Sequence, residues 1–302
     1  RAGGPIGGSG LGKGGENLDR PRLLQRLGLG AGQGGLRRPA HAVRVHRGPR
    51  GDLQEEAILL RHRDGADLVE AAGFGGGEID LPTYVHVIEE IGKADASTAW
   101  CLNQGAIFGT YAARMPRAVA RTIWADVPRA VVANTPAATA KAIVVPGGYR
   151  VASPPGGQGF STGCRQASWV AAHAQITENG QIRMEGDAPE ARYLFVPIGE
   201  AELLDTWHTR GMRGTGTHHF AVKDVFVPTD RTVLSQTAPL IHDAPLYRIP
   251  RTLLFASGDA AVAFGMARTC LETFGELAGA KTPRAMPGLL RDQAMTQMTI
   301  GQ

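Results

Sequence analysis

Apolar positions divide the chain by their period. From Leu81 onward, Leu81, Tyr84, Val85, Ile88 and Ile91 recur at helical spacing, the single stripe of an amphipathic helix. Asp95 then stands where an N-cap would open a second helix. That helix runs to just before Pro116 and places Trp100, Gln104, Ile107, Phe108 and Tyr111 on one face. Pro116 suits the first turn of a third helix through Trp124.

The period then shortens to two. Short runs at 129–134, 141–145, 148–153, 168–176, 192–198 and 219–227 alternate like strands. "PGGYR" at 146–150 reads as a hairpin turn between two of them. The helical period returns over 252–280, and 287–302 opens a further helix. The order of helices, strands and helices predicts an α+β multidomain chain: helical residues 73–126, a β-barrel or sandwich at 127–235, and a C-terminal helical bundle from 236.

Residues 1–72 have a different texture. They are rich in Gly and Arg and keep neither period, so the segment is expected to be irregular and disordered. Two glycine motifs here are lookalikes. Gly7 to Lys13 has phosphate-loop spacing, but Gly14 occupies the Ser/Thr position. Gly30, Gly32 and Gly35 have dinucleotide spacing without a βαβ frame.

Composition narrows the function classes. With 302 residues at 43% apolar content, a sizeable core can form. The net charge of +4 is uneven. Residues 1–64 carry 12 Lys+Arg against 6 Asp+Glu, leaving 20 against 22 for the rest. A near-neutral body argues against a nucleic-acid partner. No apolar run approaches membrane-spanning length. Cys101, Cys164 and Cys270 are widely spaced and odd in number, which fits a reduced cytoplasm better than a disulfide or zinc framework. His218 and His219 are neighbours on a strand and point to opposite faces, which disfavours shared metal ligation. Cys164 beside Arg165 reads as a structural thiol.

Four segments carry a resemblance: "PTYVHVIEEIGKADASTAW", "GYRV…FSTGCRQASW", "DTWHTRGMRGTGTHHFAVKDVFVP" and "GMARTCLETFGELAGAKTP". Together they resemble the acyl-CoA dehydrogenase superfamily, and within it most closely the flavin-dependent two-component monooxygenases. The resemblance covers about 73–302. It implies a reduced FMN or FAD cofactor, a separate flavin reductase, O2, a hydrophobic small-molecule substrate and a homotetramer.

It also implies site residues. Phe160 and Ser161 belong to the "FSTGC" word that packs an aromatic ring on the flavin, and Thr162 offers its hydroxyl to the flavin N5 edge. Arg213 and Thr215 would face the cofactor or the oxygen pocket. Asn134 and Thr135 match the first flavin-contacting strand end, and Trp100 a tryptophan beside flavin and substrate. Read from the residues alone, Arg213 could equally be a turn residue, Trp100 a core ring and Thr162 a strand-end hydroxyl.

The resemblance has gaps. Phe108 stands where a phenol hydroxylase of the group has a histidine for the phenolate, which counts against a simple phenol substrate. "ASPPGGQG" replaces a Ser-Gly-Arg-Trp run, and the last bundle helices have no counterpart here. The chain is therefore expected to be a piece of a longer protein, with Leu253, Leu254, Val262, Phe264, Met266, Leu271 and Phe274 forming a partly uncovered apolar face. The alternative functions are an FAD-dependent acyl-CoA dehydrogenase and an inactive paralogue.

Overall fold

The computed structural model describes residues 78–125 and 130–301. The expectations for 1–72, both glycine motifs included, lie outside the described residues. Helix α1 (Leu81–Ala94) starts where the Asp80 carboxylate accepts from Thr83 N at 2.8 Å. Asp95 ends α1 and caps α2 (Ala96–Gly109), accepting from Thr98 N at 2.6 Å and Thr98 Oγ1 at 2.7 Å. One carboxylate thus fixes the corner between two helices. A 3-10 turn (Thr110–Arg114) carries the chain to Pro116, and α3 (Arg117–Ala120) continues as a π turn through Ala125.

The strands are β1 (Val132–Asn134), β2 (Ala140–Val145), β3 (Gly148–Ala152), β4 (Gln158–Ser161), β5 (Trp169–Glu178), β6 (Gln181–Ile182), β7 (Met184–Glu185), β8 (Ala188–Pro189), β9 (Ala191–Pro197), β10 (Glu202–Leu204), β11 (His218–Ala221), β12 (Val225–Pro228) and β13 (Thr232–Leu234). An eight-stranded sheet runs β12-β3-β2-β5-β9-β13, with β1 and β6 also pairing with β5. Its ladders are antiparallel except for β1 and β2, which lie parallel to β5. A second sheet has the order β10-β11-β4, and β7 pairs with β8.

The continuous apolar runs of β5 and β9 have a simple cause: both faces are covered. Val170, Ala172, Leu194 and Val196 join Phe220 and Cys164 in a core between the two sheets. Trp169, Ala171, Tyr193 and Phe195 pack against the helices with Ile88, Phe108 and Trp124. Alternation by pleat divides one strand between two cores.

Helix α4 (Arg251–Ala280) lies against α1 and α2, and α5 (Ala294–Ile300) follows it.

Two sequence expectations need correction. The run 219–227 is not one strand: Asp224 adopts φ 53° and divides it into β11 and β12, which belong to different sheets. Arg150 Nη1 holds that bend, donating to Asp224 O at 2.9 Å. The apolar positions on α4 are also not one face. Leu254 and Val262 are buried in the helical core, whereas Leu253, Phe264, Met266 and Leu271 are exposed. Among the described residues no helix is long and apolar enough to cross a membrane.

Candidate functional site

A cleft of about 650 Å³ lies between the helices and the strand ends. Trp100 and Gln104 of α2 line one side, and Arg251, Phe255 and Asp259 of α4 continue it. Asn134, Phe160, Thr162, Thr215 and Thr217 come from the β-region.

Phe160, the residue before the last in β4, is 64% exposed and adopts φ 61°. That backbone region costs a residue with a Cβ on the order of 1–2 kcal/mol. The strain points an aromatic ring into open space. Gly163, at φ 71°, then turns the chain away after Thr162.

Thr162 sits in a chain of hydrogen bonds. Trp100 Nε1 donates to Thr162 Oγ1 at 3.3 Å. Thr162 Oγ1 lies 3.1 Å from Thr217 Oγ1, which lies 2.5 Å from Thr215 Oγ1. Thr215 Oγ1 donates to Met212 O at 2.9 Å. An indole N–H can only donate and a carbonyl can only accept. The hydroxyls between them must therefore all point one way, with Thr162 giving its hydrogen to Thr217. Thr162 thus presents a remaining lone pair, an acceptor, to the cleft.

The expected residues separate into two groups. Trp100, Asn134, Phe160, Thr162 and Thr215 line the cleft together. Ser161 and Thr135 are buried outside its lining. Arg213 is exposed on the turn Arg213–Thr215 and is also absent from that wall.

Sequence reasoning missed Thr217, Trp207, Met212, Tyr193, Phe255, Arg251 and Asp259. Thr217 follows Thr215 across Gly216, whose left-handed backbone at φ 50° brings the two hydroxyls together. Arg251 lies over the rings of Tyr111 and Tyr193, 5.2 and 5.3 Å from their centroids. Burial brings its pKa down to about 10 and that of Tyr193 up to about 12. Burial also raises the Cys164 thiol, as expected for a structural cysteine. His218 accepts from Trp207 N while His219 faces Gly156 O, so the pair diverges. Among the described residues no His, Cys, Asp or Glu group could hold a metal ion.

No family model matches the chain. Curated relatives do. A pigment production hydroxylase of Rhodococcus sp. is 32% identical over 209 residues, 67% of this chain and 51% of its own length. The oxygenase subunit HsaA of a flavin-dependent monooxygenase from Mycobacterium tuberculosis is 26% identical, over 73% of this chain and 56% of its own length. The chain thus spans about half the length of the curated relatives it matches.

Among solved structures, XiaF from Streptomyces sp. in complex with FADH2 and glycerol matches with TM-score 0.71 at 26% identity, covering 83% of this chain and 63% of XiaF. The 3-HSA hydroxylase from Rhodococcus sp. RHA1 matches with TM-score 0.70 at 23% identity, over 83% of this chain and 67% of that structure, a likeness of fold. By sequence and by fold, the chain is similar to the oxygenase components of flavin-dependent monooxygenases and shares their acyl-CoA dehydrogenase-like fold.

Proposed function

We propose that the chain is the flavin-binding part of an oxygenase component. It would take reduced FMN or FAD from a separate reductase, use O2, and oxygenate a hydrophobic small molecule, as a cytoplasmic homotetramer in its full-length form. The carrying observation is the strained, exposed Phe160 ring beside the acceptor oxygen of Thr162 in one cleft.

The residues fit the group. A flat tricyclic ring with a polar edge needs apolar faces and an edge partner. Phe160 and Trp100 supply faces, and Thr162 supplies an acceptor suited to the N5–H that only the reduced ring carries. Bound reduced flavin supplies the electrons that activate O2. Thr162 would hold the N5 proton, the Trp100 N–H would fix the hydroxyl, and the aromatic walls would keep water out. Asn134 and Thr215 would complete the edge contacts. Cys101, Cys164 and Cys270 are thiols and not disulfides, which suits a reducing compartment.

Reduced flavin generated by a separate reductase, with 18O2 and a panel of hydrophobic aromatics, tests this reading. The expected result is a product carrying one 18O atom. Yellow FAD retained through purification, with electrons accepted from an acyl thioester, would overturn it in favour of a dehydrogenase.

A further inference from the structure

Asp259 faces the cleft from α4, two turns beyond Arg251 and one beyond Phe255. It is half-buried, and among the described residues no cation pairs with it. Its one hydrogen bond comes from Asn103 Nδ2 to Oδ1 at 2.7 Å. Asn103 is fully buried, and its carboxamide cannot be flipped without loss, because the Tyr84 hydroxyl donates to Asn103 Oδ1. The amide nitrogen is thereby committed to Asp259. The adjacent Gly258 keeps this arrangement tight: a Cβ there would meet Asn103 Oδ1 at 1.9 Å.

The chain thus invests a buried tyrosine, a buried asparagine and a glycine in holding one carboxylate at the cleft wall. Oδ2 is left without a protein partner among the described residues. Burial raises the Asp259 pKa, the cost of a carboxylate that no cation compensates. A residue needed only to satisfy Asn103 could be neutral. Thr162 Oγ1, elsewhere on the same lining, is also an acceptor by the direction of its chain. A ligand that bonds Asp259 Oδ2 must bring a donor.

We infer that Asp259 is a specificity-determining acceptor, which bonds a ring N–H of an aromatic substrate held in the cleft. The inference rests on the oxygenase reading for the word substrate. Phe255 lies one turn before Asp259 on α4 and lines the same cleft, so the aromatic guest is assigned to the α4 part of the wall. A site built to bond a donor rejects the isostere that lacks it, because the acceptor is left dry and unpaired.

The probes are indole and benzofuran, which share a shape and differ by N–H against O. Their dissociation constants are measured by calorimetry on the whole chain, with reduced FMN titrated separately under anaerobic conditions. Wild type is expected to bind indole at least about tenfold more tightly, a difference of about 1.4 kcal/mol. In Asp259→Asn, Asn103 still donates to the new carbonyl and the new amide faces the cleft as a donor. The preference should then vanish or invert, while the isosteric change leaves the circular dichroism unchanged. Asp259→Leu should bring the ratio to about one. No preference in wild type, or a wild-type ratio surviving in both variants, overturns the inference. So does an effect of both variants confined to reduced FMN, since Asp259 would then serve the flavin. If reduced FMN fails to bind while the indole preference behaves as stated, the acceptor stands and the oxygenase reading falls.

Discussion

Trp100 and Thr162, 62 residues apart, are joined by an indole N–H···O bond of 3.3 Å across the junction of α2 and the end of β4. The bond ties the helical region to the β-region at the point where the flavin edge is proposed to lie. At the other end of the same hydrogen-bond chain, the Met212 carbonyl sets the polarity of three threonine hydroxyls.

That polarity is testable. Thr162→Ala should keep the fold and weaken reduced-flavin binding by about 1 kcal/mol, one hydrogen bond. The fraction of reduced flavin lost as H2O2 should rise. Thr217→Val is nearly isosteric and removes the acceptor of the Thr162 hydrogen. Thr162 then becomes free to donate, and the ratio of oxidised to reduced FMN affinity should shift toward oxidised flavin. Paired anaerobic and aerobic titrations measure it, and an unchanged ratio in Thr217→Val would refute the assigned direction.

The helix crossing makes a second prediction, with opposite signs at two glycines of one helix. Gly258→Ala forces a methyl into Asn103 and should destabilise by about 1–3 kcal/mol. Gly275→Ala meets nothing within 4 Å and should stabilise by up to about 1 kcal/mol. Urea midpoints of the two variants give the comparison, and equal shifts would contradict it.

His173 sets a pH dependence. It is buried, stacks on Tyr193 at 4.2 Å, and shares its Nδ1 hydrogen with Pro136 O at 3.2 Å. Desolvation lowers its pKa to about 4, against a partial opposing effect from that hydrogen bond. Between about pH 6.5 and 4 the unfolded chain therefore binds a proton that the folded chain does not. Stability is full above pH 6.5 and falls toward pH 4, by up to about 3 kcal/mol from this group. His173→Phe should flatten that part of the profile, measured as denaturant midpoint against pH.

The outer face of α4 exposes Phe264 by 60%, Leu271 by 57% and Leu277 by 48%. The chain should self-associate through this face, with a light-scattering mass above the 31.9 kDa of one copy. Phe264→Glu with Leu271→Glu should lower the mass. A concentration-independent monomer for the parent chain would count against it.

Much of the fold was legible in the sequence because its signals were local. Asp95 before Ala-Ser-Thr, the hairpin at 146–150 and the apolar run of β5 each declared an element without reference to the rest. The division at Asp224 was not, because apolar residues flank Lys223 and Asp224 on both sides and only the left-handed backbone at Asp224 reveals the change of sheet. The site was half legible. Phe160, Thr162 and Trp100 came from a recognisable word or helix face. Arg251 and Asp259 came from neither, because their meaning depends on which side of a 30-residue helix meets α2. Asn103 looked like one polar residue among many until its burial and both its partners were in view.

The central claim is that the Phe160–Trp100–Thr162 cleft holds reduced flavin. Quenching of tryptophan fluorescence by photoreduced FMN or FADH2, titrated anaerobically, measures it most directly. Saturable one-to-one binding is predicted, tighter for reduced than oxidised flavin and weakened at least about tenfold in Phe160→Asp. No saturable binding, or binding indifferent to Phe160→Asp, would contradict the account.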